Sequence, residues 1–310
     1  MNIKLSTAIL SLVLSAAGLL SASADNNVSL HDNNSTNPQA IYYIDAPRFV
    51  RPLVEKWITE YQKVQPAAHF AVAKSAANRD ASILHVQLSD NTAGNGQKTV
   101  YFAQYAILPV TTKGSDADKA LSRNERNVKK LKQLFFSGDD SNGDNTDAGS
   151  KKATPFNSLV VYTGSGTQSV SRLFAAYYGQ DASTFRGKRI IGDDQFLNTA
   201  IAKGPKGVTI NAVANLYDLS TRQLKSGLTL LSLDVDKSLQ TILSGNASLD
   251  ELLSSLETTT TKNIPIERIG LTSTDDNDAV DSFVDWVAAN SQTYNHQYGL
   301  LNLNKSIAKR

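Results

Sequence analysis

The chain has no cysteine among its 310 residues. Disulfides, thiolate metal sites and a lipid-modified cysteine behind a leader are thereby excluded. It has almost no charge imbalance, with 31 Lys and Arg against 29 Asp and Glu and a net charge of +2. No basic stripe with interleaved aromatics is present either, which argues against a nucleic-acid binder. Beyond the N-terminus no apolar run is long enough to span a bilayer. The four histidines, His31, His69, His85 and His296, are scattered and form no metal-binding pair. No GxxxxGK[ST] phosphate loop, dinucleotide fingerprint or G-x-S-x-G nucleophile elbow occurs.

The N-terminus has the build of a signal peptide. Lys4 supplies the positive start, Leu10 to Leu20 the apolar core, and Ala22-Ser23-Ala24 a small-x-small cleavage site. The expectation is export, with cleavage after Ala24, to a bacterial periplasm. Residues 25–39 are polar and read as a tail without a core to fold onto.

From Ile41 onward, strand-like and helix-like patterns alternate. Ile41-Tyr42-Tyr43-Ile44 reads as a buried strand. Phe49, Leu53, Trp57 and Tyr61 recur every four residues and mark one face of a helix. Further strands are expected at Phe70–Ala73, Ile83–Leu88, Thr99–Val110, Leu159–Tyr162, Lys188–Ile191, Val208–Leu216, Leu228–Leu233 and Ile264–Leu271. Helices are expected at Asn124–Phe136, after Thr167, near Gln195–Ala202, across Leu239–Leu256 with a break at Gly245, and through Val280, Phe283, Val284 and Val287. The alternation predicts an α/β fold with largely parallel sheets. Residues 137–150 are a low-complexity loop, and no internal repeat is visible.

Signals for catalysis are few. Asp140, Asn142 and Asp144 are spaced as in a calcium loop, but Asn145 and Lys151 stand where the turn glycine and the bidentate glutamate belong. That loop and the cluster Asp275, Asp276, Asp278 and Asp281 read as solvated or helix-start charge. So does Asp193-Asp194, a pair suited to starting a helix. The stretch Thr163-Gly164-Ser165-Gly166-Thr167 is more informative. It joins a strand to a helix, where the first N–H groups lack internal partners and carry partial positive charge. Two glycines allow close approach of a ligand, and the hydroxyls of Ser165 and Thr167 add donors. These residues suit either an anion cradle or an ordinary cap with Ser165 at the N-cap.

Taken with the rest of the chain, this turn resembles that of the phosphate-binding proteins of bacterial ABC importers. Those are type II, two-lobed periplasmic solute-binding proteins. Asp45 to Pro52, with Trp57 and Tyr61-Gln62-Lys63, is similar to the family's opening turn and helix. Lys74-Ser75-Ala76-Ala77 stands at its Gly-Ser-Ser-Gly turn, Leu88-Ser89-Asp90 at its Ser-Asp segment, and Leu131–Gly138 at a helix end. Ser165-Gly166-Thr167 matches its Ser-Gly-Thr turn, while Phe283–Trp286 and Tyr298–Leu301 resemble its C-terminal helix and tail.

The resemblance implies two α/β lobes with helices on both sheet faces. Lobe 1 would comprise residues 40–108 and 266–310, and lobe 2 residues 109–265. Two crossing hinge strands would lie near Ile107–Val110 and Ile264–Ile269. It implies inorganic phosphate or a similar oxyanion in the inter-lobe cleft, a membrane ABC permease as partner, a monomer, and neither cofactor, metal nor enzymatic activity. Its ligand contacts carry over to Arg48, Phe49, Ser75, Asp90, Ser165, Gly166 and Thr167. An aspartate at position 90 would accept a proton from the ligand and favour hydrogen phosphate over sulfate. The sequence departs from the family at Val161, where an arginine is usual, at Arg48, which replaces a threonine, and in the lost glycines around Ser75. Arg48 is the candidate replacement cation. The alternative is the same fold with a degenerate pocket, serving as a sensor or envelope interaction protein.

Overall fold

The computed structural model describes residues 40–88, 98–122, 128–137, 156–166, 168–231, 235–245, 247–259, 261, 263–275 and 277–303. Its frame is a nine-stranded sheet in the order β2-β1-β3-β9-β4-β7-β5-β6, with β8 paired to β4. The strands are β1 (Ile41–Asp45), β2 (His69–Val72), β3 (Leu84–Gln87), β4 (Lys98–Thr112), β5 (Val160–Gly164), β6 (Lys188–Ile190), β7 (Gly207–Ala212), β8 (Leu228–Leu230) and β9 (Ile266–Ser273). The pairs β1–β2, β1–β3, β5–β6 and β5–β7 are parallel. Every antiparallel pair involves β4 or β9. The sheet is therefore mixed, with a parallel group on either side of the two long crossing strands.

β4 joins the two groups by changing partner along its length. Lys98 to Ala106 pair with β9, and Ile107 to Thr111 pair with β7. A register shift against β9 falls between Tyr101 and Ala103. From Phe102 to Thr111 every β4 residue is buried. A strand covered on both faces must be apolar throughout, which explains its near-continuous hydrophobic run.

The helix α1 (Arg51–Val64) follows β1, with Pro52 in its first turn, where the missing N–H costs nothing. Its four-residue stripe buries Leu53, Trp57 and Tyr61 as the spacing predicts. Trp57 meets Phe102 edge-on with centroids 4.6 Å apart, and Tyr61 meets Phe283 at 5.1 Å. Phe70 stacks on Phe283 at 4.4 Å. Each such buried aromatic contributes about 1.5–3 kcal/mol through surface removed from water. Phe283 lies on α10 (Asp278–Asn290), whose start is capped by the Asn277 side chain.

Past the crossing, α5 (Val170–Tyr177) packs Phe174 against Phe135 and Phe136. Those two end α4 (Val128–Phe135) and begin the segment after it. α6 (Gln195–Ala202), α8 (Lys237–Ser244) and α9 (Leu249–Thr258) complete this side, α9 opening with a Ser248–Glu251 capping box.

Three helices differ from the sequence expectation. α2 (Ala76–Asp80) and α3 (Asp116–Ser122) are short and were not expected. The expected strand Val208–Leu216 turns helical at α7 (Val213–Leu216), where all four residues are buried and no periodicity separates helix from strand. Among the described residues no helix is long and apolar enough to cross a membrane.

Candidate functional site

Parallel strands place the turns that follow them on one edge of a sheet, where α/β folds hold their ligands. The turns after β1 and β2 carry Arg48 and Ser75. On the other side of the crossing strands, the turns after β5 and β6 carry Ser165 and Asp193. The two edges meet at Arg48, whose Nε lies 3.8 Å from Asp193 Oδ2, with the Arg48 side chain half exposed. Phe49, next to Arg48, is buried against Tyr105 of β4, with centroids 5.6 Å apart. Burial pushes the Tyr105 phenol well above its usual range, and the Glu267 and Asp194 carboxylates add to that. The phenol donates to Leu88 O at 3.1 Å.

The turn after β5 is exposed at Ser165 and Gly166. The Ser165 N–H and its hydroxyl both reach Ile190 O, each at 3.2 Å, which pins the turn to the end of β6. Ser169 N donates to Gly166 O and closes the turn. The helix begins one turn later than Ser165, with Ser169 at the N-cap and its hydroxyl accepting from Ser171 N. The Ser165 cap expected as one reading of this stretch is therefore replaced by Ser169. Val161 is 2% exposed and belongs to the core, so that position offers no cation to the turn.

The carboxylate pair after β6 serves two helices. Asp193 Oδ1 accepts from Gln195 N, the first N–H of α6, at 2.9 Å, one residue before the N-cap, Asp194. Asp194 turns the other way: its Oδ1 accepts from Ser169 Oγ at 2.7 Å and its Oδ2 from Val170 N at 2.9 Å. It supplies the negative charge that the start of α5 favours. Burial raises the Asp194 pKa, the bonds from Val170 and Ser169 lower it in part, and Asp193 beside it adds to the rise. Gly164 is required here, because a Cβ would stand 2.2 Å from Ser169 Oγ and 2.5 Å from Asp194 Oδ1. Behind the pair, the Asn211 amide donates to Asp194 O at 2.8 Å and to Asn198 Oδ1 at 3.1 Å, which fixes the segment from the sheet side.

The structure thus brings Arg48, with Phe49 buried beside it, to Asp193, and ties Ser165 to the end of β6. Asp193, Asp194 and Ser169 are residues that the motifs alone did not place at the site. Ser75 is exposed and caps α2, its Oγ accepting from Asn78 N at 3.1 Å. Thr167 and Asp90 lie outside the described residues, as do residues 138–150 and the N-terminal leader. Among the described residues no cluster of three or more His, Asp or Glu could hold a metal ion. Asp278 and Asp281 lie in the first turn of α10, as helix-start charge should.

No family model and no curated protein matches this sequence. Solved structures do. A Clostridium perfringens protein described as a phosphate ABC transporter substrate-binding protein, with bound phosphate, superposes with a TM-score of 0.53 at 13% identity, over 86% of this chain and all, 100%, of that one. An ABC-type phosphate transport receptor from Vibrio cholerae gives 0.49 at 11% identity, over 84% of this chain and 100% of that one. The Synechocystis CcmR regulatory domain in complex with 2-PG gives 0.48 at 11%, over 82% and 98%. The chain has the two-lobed periplasmic-binding-protein fold.

Proposed function

We propose that this chain is an exported solute-binding protein that captures phosphate or a similar oxyanion between its two strand-end edges and hands it to a membrane ABC permease. The observation that carries this reading is the Arg48–Asp193 contact. It brings a half-exposed guanidinium from one edge to the turn after β6 on the other, the strand end to which Ser165 is bonded. Guanidinium suits a tetrahedral oxyanion, and a 3.8 Å pair with an exposed partner is weak enough to be exchanged. Arg48 then supplies the cation that buried Val161 does not. Binding would draw the edges together in the hinge manner available to two lobes joined by crossing strands. We infer no catalysis: the Ser165 hydroxyl is directed at a backbone carbonyl and not at a general base.

A second reading has its own observation. The Ser165 N–H and hydroxyl are already committed to Ile190 O, and the start of α5 already holds Asp194. Donors spent inside the chain suit a retuned pocket and a sensor or envelope interaction role. Calorimetry with phosphate, sulfate and arsenate separates the two. The first reading expects tight phosphate binding that weakens at least tenfold, about 1.4 kcal/mol, in Arg48→Ala and in Ser165→Ala. Absence of heat with all three anions refutes it and leaves the second.

A further inference from the structure

The Arg48–Asp193 contact also bears on which oxyanion fits, given the oxyanion reading on which this step rests. We propose that the preferred ligand is zwitterionic: a phosphate monoester or phosphonate bearing an ammonium group on a short methylene linker. An anion that recruits Arg48 and reaches the Ser165–Gly166 turn takes away the cation facing Asp193 Oδ2. The other Asp193 oxygen is fixed by Gln195 N, so Oδ2 is the one turned to the site and left without a counter-charge. Asp194, the second carboxylate here, brings no counter-charge; Ser169 and Val170 occupy its two oxygens, and its Oδ1 lies against the backbone at Gly164.

A phosphate dianion would therefore enter beside two carboxylates with one arginine to balance them. The site is partly exposed, so water moderates the repulsion, yet it still acts against a dianion more than against a ligand that carries its own cation. A ligand with its own ammonium group gives Asp193 Oδ2 a replacement partner where the guanidinium was. The surface beside it suits a methylene linker. Ile191 is 88% exposed and Phe196 49% exposed, and the Phe196 ring lies 3.1 Å from the position a Gly192 Cβ would take. They are two of the five large hydrophobic side chains exposed among the described residues.

The test is calorimetry on the purified protein with three probes: inorganic phosphate, ethyl phosphate and O-phosphoethanolamine. The last two share the two-carbon linker and differ in the terminal ammonium group. O-Phosphoethanolamine should bind about tenfold tighter than ethyl phosphate or better. Asp193→Asn should bring the two esters within about twofold and tighten inorganic phosphate, because a like charge is removed. Asparagine still accepts the Gln195 N–H, and an unchanged melting temperature checks that the start of α6 keeps this bond. Equal binding of the two esters to the unaltered protein overturns this inference while leaving the oxyanion reading intact. So does an ammonium preference that survives Asp193→Asn. Failure of all three probes to bind removes both.

Discussion

Asp194 is the residue whose alteration should be most revealing, because its two substitutions pull apart. Asp194→Ala strands the Val170 N–H and the Ser169 hydroxyl, which now donate to its two oxygens at 2.9 and 2.7 Å. Hydrogen bonds to a charged acceptor contribute about 1.5–3 kcal/mol each, and removing the desolvated carboxylate returns part of that. Ser169 still caps α5 through Ser171 N, so the helix does not lose its cap outright. A net loss of about 2 kcal/mol is expected, or roughly 3 °C in Tm for a chain of this size. Asp194→Asn is a different case. Its carbonyl accepts from Val170 and its amide donates to Ser169 Oγ, so stability at neutral pH should stay within about 1 kcal/mol of the unaltered protein.

The pH dependence gives the sharper signature. Burial holds the Asp194 pKa above its ordinary 3.8 in the folded chain. Between 3.8 and that raised value, the folded state keeps a proton that the unfolded state has released. The group therefore favours folding below this window, and its contribution falls as pH rises through it. Asparagine has no such slope, so the stability of Asp194→Asn relative to the unaltered protein should climb with pH across the window and then level off. Carboxylates with lowered pKa, such as Asp218, held at about 2 by Ser220 and Thr221, act in the opposite direction in both proteins and cancel in the difference. Urea unfolding of the three proteins from pH 4 to 7 reads all of this. A difference that shrinks with pH, or an alanine variant as stable as the asparagine one, refutes the account of Asp194 as a buried cap.

Two further substitutions probe the frame that carries the site. Gly187→Ala should cost about 3 kcal/mol or more, because its φ is +85° and a Cβ would stand 2.2 Å from Val161 O, a backbone atom of β5 that cannot swing away. A denaturation midpoint within error of the unaltered protein would contradict this. Phe283→Ala opens the stack with Phe70 at 4.4 Å and the edge contact with Tyr61 at 5.1 Å, and should cost about 3–5 kcal/mol, read as a lowered midpoint at unchanged m-value.

The sequence made the local parts of this fold legible. α1 follows from its four-residue apolar spacing and from Pro52 in the first turn, both of which are properties of contiguous residues. β4 announces itself by length and apolarity, yet its change of partner at Ile107 depends on β7 and β9, a hundred or more residues away. α2 buries no residue, and so it has no stripe to read. α7 fails for the opposite reason: Val213 to Leu216 are all buried, and uniform burial has no period.

The site divides along the same line. Asp193 is a local helix-starter, as the tandem carboxylates suggest, because Gln195 is two residues on. Asp194 serves a helix that begins 24 residues earlier than itself, and nothing in its neighbourhood marks that choice. The cation shows the same dependence. The expected arginine position, Val161, points into the core because β5 alternates and residue 161 falls on its buried face, which leaves a cation at the turn to come from another element. Arg48 reaches Asp193, in the turn after β6, only because β1 and β6 end on facing edges, a relation set by the crossing strands. Charge at this site is therefore a property of the assembled sheet. The same five residues, Thr163 to Thr167, would make an open anion cradle or a filled one, depending on what the turn after β6 brings to them.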